Sequence, residues 1–168
     1  MTAMRELPRP RIRPHRTAFD QLLELVGWGL LLGLWGYAAA RYGALPDRIP
    51  THFNAAGEVD AFGSKQSLWA LPVVASVLFT GLSFLNRFPH LFNYLQPITP
   101  ENALRQYTIA TRMIRLLKLV LAGVFFMLLY LTVRTAHGNV QGLGTWLLPL
   151  VLALVFFPLG YFLYQSLR

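Results

Sequence analysis

Four long apolar runs, over residues 22–40, 67–85, 113–133 and 143–167, constrain this chain more than any other feature. Each reaches or approaches the roughly 20 residues that a helix rising 1.5 Å per residue needs to cross about 30 Å of hydrocarbon. The second run contains no charged residue, and neither does the fourth before Arg168. A backbone in lipid must satisfy its own hydrogen bonds, so such runs are helices rather than open sheet. A soluble bundle would need polar outer faces, which the second and fourth runs do not offer. At 55% hydrophobic and 13% charged residues, the composition is also too apolar for a soluble fold of this length. The expected architecture is all-α: an integral membrane bundle of four transmembrane helices, at about 21–42, 67–86, 112–135 and 143–166, forming one domain over 21–168. Pro72, Pro149 and Pro158 fall inside the runs and predict kinks that neighbouring helices shield.

Orientation follows from the basic residues. Arg5, Arg9, Arg11, Arg13 and Arg16 precede the first run, and Arg87, Arg105 and Arg112 lie between the second and third. The other two connections carry fewer: Arg41, Arg48 and Lys65 in one, Arg134 in the other. The positive-inside rule therefore places both termini and the 87–111 loop in the cytoplasm, with the 43–66 loop facing outward across the inner membrane. Residues 1–20 read as a basic, disordered cytoplasmic tail, because the Pro-Arg alternation from Pro8 to Pro14 cannot form a helix. Basic residues before an apolar run that ends Ala38-Ala39-Ala40 also fit a signal peptide. The run is longer than a signal peptide's apolar region, which favours a retained helix. The net charge of +8 collects at helix ends and on the tail, where anionic headgroups attract it. That distribution points to the lipid bilayer as partner and away from nucleic acid. The absence of cysteine excludes disulfides, thiol catalysis and thiolate metal sites.

Pumps and ion-coupled transporters usually hold an ionisable residue near the bilayer centre, and here the charges keep to the ends. Glu24 lies about one turn inside the first helix. It is expected to pair with Arg115 or Lys118, whose long side chains snorkel to the cytoplasmic surface. Gly29, Gly33 and Gly36 form a smooth strip for helix approach.

The outward loop is ordered by its composition. Pro46 and Pro50 bracket Asp47-Arg48-Ile49, Asn54-Ala55-Ala56-Gly57 supplies turn chemistry, and Gly63-Ser64 supplies another turn. His52, Asn54, Gly57, Glu58, Asp60 and Lys65 are the candidate binding residues. His52 with Asp60 or Glu58 could form an acid and base pair or hold a metal, but the spacing matches no metal motif. The alternative has His52 and Asn54 hydrogen-bonding the loop backbone, while Phe53 and Phe62 dip into the interface beside Tyr42 and Trp69. In the cytoplasmic loop, Thr99-Pro100-Glu101 reads as an N-cap, a first-turn proline and a carboxylate on the positive helix end. Tyr107, Ala110, Ile114 and Leu117 recur at helical spacing, so this helix is expected to lie along the interface before entering the third span. Pro89, His90, Asn93, Tyr94, Glu101, Asn102, Gln106 and Tyr107 form a candidate cytoplasmic motif, its aromatic members read as interface anchors.

The stretch Leu45-Pro46, Ile49-Pro50-Thr51-His52-Phe53-Asn54, Gly57, Asp60 and Lys65 resembles the signature of a widespread bacterial membrane domain of unknown function. That domain also forms the N-terminal part of the SdpI-like immunity proteins, which protect sporulating bacilli from the sporulation-delaying toxin. The match covers the first helix, the loop and the second helix. Residues 88–102 are similar to a second segment of the short family members. The resemblance implies a membrane domain with no agreed activity. The overall reading is a binding, sensing or regulatory module acting through its outward loop on a membrane-protein partner or peptide, with no cofactor. The alternatives are a toxin-resistance factor and a membrane enzyme or metal-binding protein using His52.

Overall fold

A computed structural model describes residues 9–168. Residues 1–8, the first part of the expected tail, lie outside the described residues. The chain runs through α1 (Ala18–Tyr42), β1 (Arg48–Phe53), β2 (Val59–Ser64) and a 3-10 turn at Lys65–Trp69 that leads into α2 (Ala70–Leu85). A second 3-10 turn (Pro89–Leu91), α3 (Ala103–Ala136) and α4 (Leu147–Leu167) follow. Among the described residues, four helices are long and apolar enough to cross a membrane, α2 counted together with the turn before it.

The all-α expectation needs one correction, because the 43–66 loop folds as an antiparallel β-hairpin. Pro50 lacks an N–H, yet both strands of a two-stranded sheet are edges and tolerate it. The register is interrupted at Thr51, where Pro50 faces Phe62 but His52 faces Ala61. The hairpin turn uses Asn54 Oδ1 as acceptor for the N–H groups of Ala56 and Glu58, at 2.9 and 3.0 Å. Gly57, at φ 79°, closes it in the left-handed region that glycine enters without cost from a side chain.

α1 starts at Ala18, inside the stretch expected to be tail. Thr17 caps it: its hydroxyl accepts from Asp20 N–H while Asp20 Oδ2 accepts from Thr17 N–H, a reciprocal capping box. α3 starts at Ala103, with Asn102 rather than Thr99 at the N-cap position. Its 34 residues span about 51 Å, so the expected interfacial segment is instead the first turns of one continuous helix. Tyr107 and Ile114 accordingly face the bundle and are buried. Pro72 and Pro149 each stand third in their helices, where a missing N–H is harmless, and only Pro158 lies in a helix interior.

α3 is the hub on which α1, α2 and α4 each pack. The core joins Leu31, Leu34 and Ala38 of α1 to Ala75 and Phe79 of α2, and to Ala122, Leu129 and Val133 of α3. Leu45, Ile49 and Leu68 extend it under the hairpin. Close approach on α1 occurs at Gly27, where an added Cβ would stand 3.0 Å from the Phe79 ring. Gly29 and Gly36 meet nothing within 4 Å, and Gly33 meets only Phe126. Outward-facing positions such as Leu25, Leu32, Val77 and Phe157 are exposed and apolar, as lipid-facing surfaces are.

Arg9 donates to the carbonyls of His90 and Phe92, and Gln96 donates to the carbonyl of Leu167. The first described residues, the α2–α3 connection and the C-terminal residues therefore share one end of the bundle, the basic end. The hairpin and the α3–α4 connection occupy the other.

Candidate functional site

At the hairpin end the candidate residues do not converge: five of the six fall in three separate pairs, Lys65 with the non-candidate Asp47, and Gly57 serves the turn. The register change at Thr51 brings His52 Nδ1 to 2.6 Å from Asp60 Oδ1, with both side chains exposed. Asn54 Nδ2 donates to Glu58 Oε2 at 2.9 Å, bracing the turn whose backbone Asn54 already holds. Lys65 turns away from both: its Nζ lies 3.0 Å from Asp47 Oδ1 and over the Tyr42 ring, at the base of the hairpin. Asn54 thus bonds the loop backbone as one expectation had it, whereas His52 bonds a carboxylate. Exposed pairs of this kind contribute about 0–1 kcal/mol to stability. Phe53 is half-buried and Phe62 exposed.

The α3–α4 connection completes this end, and sequence reasoning passed over it. Leu143 N–H donates to the Gly57 carbonyl at 2.7 Å, and Glu58 bridges to Gly142 in antiparallel fashion. A Cβ on Gly57 would come within 2.6 Å of Gly144 O, so the connection reaches this backbone only because Gly57 carries no side chain. The His137 ring stands between the Val133 and Ala44 carbonyls at 2.8 and 3.1 Å, tying the end of α3 to the segment before β1. Between hairpin tip and connection lies an open groove of about 490 Å3, lined by Ala56, Glu58, Leu131, Gln141, Thr145 and Trp146 among others. Glu58 is the one charged residue in its lining. Among the described residues no three His, Asp or Glu side chains gather as a metal cluster.

At the basic end the cytoplasmic motif does not converge either. Tyr94 donates its hydroxyl to the Pro89 carbonyl at 2.8 Å and packs on Tyr107, with Arg9 over its ring. Burial, helped by Tyr107, pushes the Tyr94 hydroxyl pKa up, against a smaller opposing effect of Arg9. Asn102 closes the loop by accepting from Thr99 N–H and donating to the Pro97 carbonyl. The exposed Glu101 carboxyl is held below its ordinary range by the Thr99 hydroxyl and then by its own backbone N–H. Gln106 and Ser166 bond reciprocally, Ser166 Oγ to Gln106 Oε1 at 2.6 Å, and fasten α3 to α4. Tyr107 is fully buried, and its hydroxyl finds no partner among the described residues. His90 packs on Phe88 through its ring edge, and Asn93 is exposed.

Between these parts runs a charge network. Arg112 grips Asp20 through Nε at 2.9 Å and Nη2 at 3.2 Å, and Arg115 Nη1 reaches the same carboxylate at 3.4 Å. Glu24 takes Lys118 at 2.7 Å and Arg115 at 3.4 Å, so its expected pairing involves both cations. The snorkelling expectation fails: Arg115 is 6% exposed and Lys118 1%. Their carboxylate partners sit inside the bundle and hold the side chains there. Asp20, which sequence reasoning overlooked, is the hub; its signal was Thr17-x-x-Asp20, one turn before the apolar run.

Residues 29–75, from the middle of α1 through the hairpin into α2, match the family model described as a domain of unknown function (DUF1648). A protein of Archaeoglobus fulgidus described as uncharacterized is 43% identical over 68 residues, covering 36% of this chain. The chain spans 37% of that relative's length, and the similarity reaches an archaeon as well as the bacteria suggested by the motif. No solved structure matches.

Proposed function

We propose that this multi-pass membrane protein is a binding or sensing module whose working surface is the hairpin together with the α3–α4 connection. The carrying observation is that the hairpin, pinned by Asn54, Gly57 and Leu143, holds the His52–Asp60 pair exposed, while an open groove lies between its tip and the α3–α4 connection. Groups kept in water at little gain in stability are free to be used for recognition. The family match supports the reading, since the hairpin lies wholly within residues 29–75. The ligand class to try first is a peptide or an exposed segment of a membrane-protein partner, because backbone edges and a groove suit extended chains. In this reading both termini face the cytoplasm and the hairpin faces outward across the plasma membrane.

Complementation of a deletion strain tests it. His52→Ala with Asp60→Ala should lose the strain's phenotype while the protein still inserts and folds. Asn93→Ala at the other end should complement. Full complementation by the hairpin variant would refute the proposal.

A second reading has one observation in its favour: Asp60 holds His52 Nδ1 at 2.6 Å, the way a carboxylate orients a general base or a metal-binding imidazole. Elemental analysis of the purified protein decides it, since a stoichiometric metal that vanishes in His52→Ala would favour this reading over recognition.

A further inference from the structure

At the basic end, three segments far apart in sequence line a small, open polar cavity of about 80 Å3. They are the residues before α1 (Arg13, Arg16), the residues after α2 (Asn86, Arg87) and α3 (Arg115). Water needs about 10–15 Å3 by the same measure, so the space holds several waters, or one tetrahedral oxyanion. Four arginines line it, of which Arg13, Arg16 and Arg87 are exposed. Arg115 already shares Asp20 and Glu24 with Arg112 and Lys118, which leaves three cations on two carboxylates. Arg13, Arg16 and Arg87 have no carboxylate partner among the described residues. Arg115 is more than nine-tenths buried, and its Nε–H faces Glu24 Oε1 at 3.4 Å. Asn86, which also lines the cavity, donates its Nδ2 to the Thr111 carbonyl at 3.2 Å. An excess of positive charge around a cavity of this size asks for a compact anion with several oxygens.

We propose that this cavity binds a phosphate oxyanion, with the arginines on its oxygens. Guanidinium groups suit this because their forked N–H donors match phosphate oxygens. Two sources share the chemistry: the headgroup of an anionic phospholipid such as phosphatidylglycerol, and free hydrogen phosphate. The cavity stands where α1 begins and α2 ends, the level at which headgroups meet helices of this length.

The test uses the full chain in nanodiscs of phosphatidylcholine containing a minor share of phosphatidylglycerol, with retained lipids counted by native mass spectrometry after release. Wild type should retain phosphatidylglycerol in preference to phosphatidylcholine. Arg16→Gln with Arg87→Gln should weaken that preference about thirtyfold, from roughly one headgroup attraction per arginine. Arg41→Gln, at the hairpin end, should leave it intact. Displacement of phosphatidylglycerol by inorganic phosphate, with phosphate retained in its place, would support the oxyanion site and assign it a soluble ligand. Wild type with no preference between the two lipids and no retained phosphate would overturn the proposal, even if the variants fail to fold. Equal preference in wild type and a folded double variant would overturn it as well.

Discussion

Lys118 Nζ lies 2.7 Å from Glu24 Oε2, and the same ammonium donates to Ser83 Oγ at 2.8 Å. One side chain of α3 therefore holds α1 through a charge and α2 through a hydroxyl. It also stands 4.7 Å from the centre of the Phe79 ring, whose edge fills the notch at Gly27. A buried ion survives among apolar helices only with such partners, because its desolvation costs several kcal/mol. The pair consequently specifies how three helices meet.

Removing one member should be worse than removing both. Lys118→Met leaves Glu24 with only Arg115, at 3.4 Å and without a hydrogen bond from its Nε–H, and should cost about 3–5 kcal/mol. Adding Glu24→Gln should recover much of the loss. Thermal unfolding of the purified protein in detergent, run as a double-mutant cycle, measures the coupling. Additive effects would mean that the pair does not hold the helices together.

Gly57→Ala should detach the hairpin from the α3–α4 connection. The new Cβ would meet Gly144 O at 2.6 Å with the backbone at φ 79°, a strain on the order of 1–3 kcal/mol. Gly29→Ala is the control, since nothing lies within 4 Å of its Cβ and it should be neutral or stabilising. Amide exchange at Leu143, whose N–H bonds the Gly57 carbonyl, reports the docking directly. Unchanged protection at Leu143 in Gly57→Ala would contradict the proposed contact.

The helices were legible because lipid imposes length and apolarity, which survive as uninterrupted runs in the sequence. Asn54 and Gly57 were legible too, since turn chemistry is local. The hairpin was hidden by Pro50 and by polar residues that obscure any alternation in its strands. Its docking partner, Leu143, lies 86 positions beyond Gly57, too far for any local rule. The His52–Asp60 pair depends on a register change that only the folded strands define. Asp20 was missed because its role arises from α3 cations about 90 residues away, with Arg112 92 and Arg115 95 positions on.

Tyr94 gives a pH signature at the basic end. Its hydroxyl pKa is raised by burial, so the folded state keeps that proton more tightly than the unfolded chain does. The associated stability is fully present below the unfolded value near pH 10 and is lost as pH rises above it. Tyr94→Phe should lose about 1 kcal/mol at neutral pH with the hydrogen bond to Pro89, and then decline less steeply in alkali than wild type. Unfolding midpoints taken across the alkaline range compare the slopes. Parallel slopes would show that Tyr94 does not carry this linkage.

Orientation across the membrane is the prediction on which the proposed function depends most. The hairpin and the 87–102 connection lie at opposite ends of the bundle, so a spanning arrangement puts them on opposite sides. The chain has no cysteine, which makes single introduced thiols unambiguous reporters. Ala55 sits exposed at the hairpin tip and Asn93 is exposed in the opposite connection, whereas Ala103 is buried and unsuitable. Ala55→Cys should react with an impermeant maleimide on intact cells, and Asn93→Cys should react only after permeabilisation. The asymmetry of Arg13, Arg16, Arg87, Arg105 and Arg112 against the sparser basic residues near the hairpin sets this expectation. The reverse pattern would turn the hairpin into the cytoplasm and redirect the search for its ligand there. Labelling of both positions from outside would contradict a four-helix crossing.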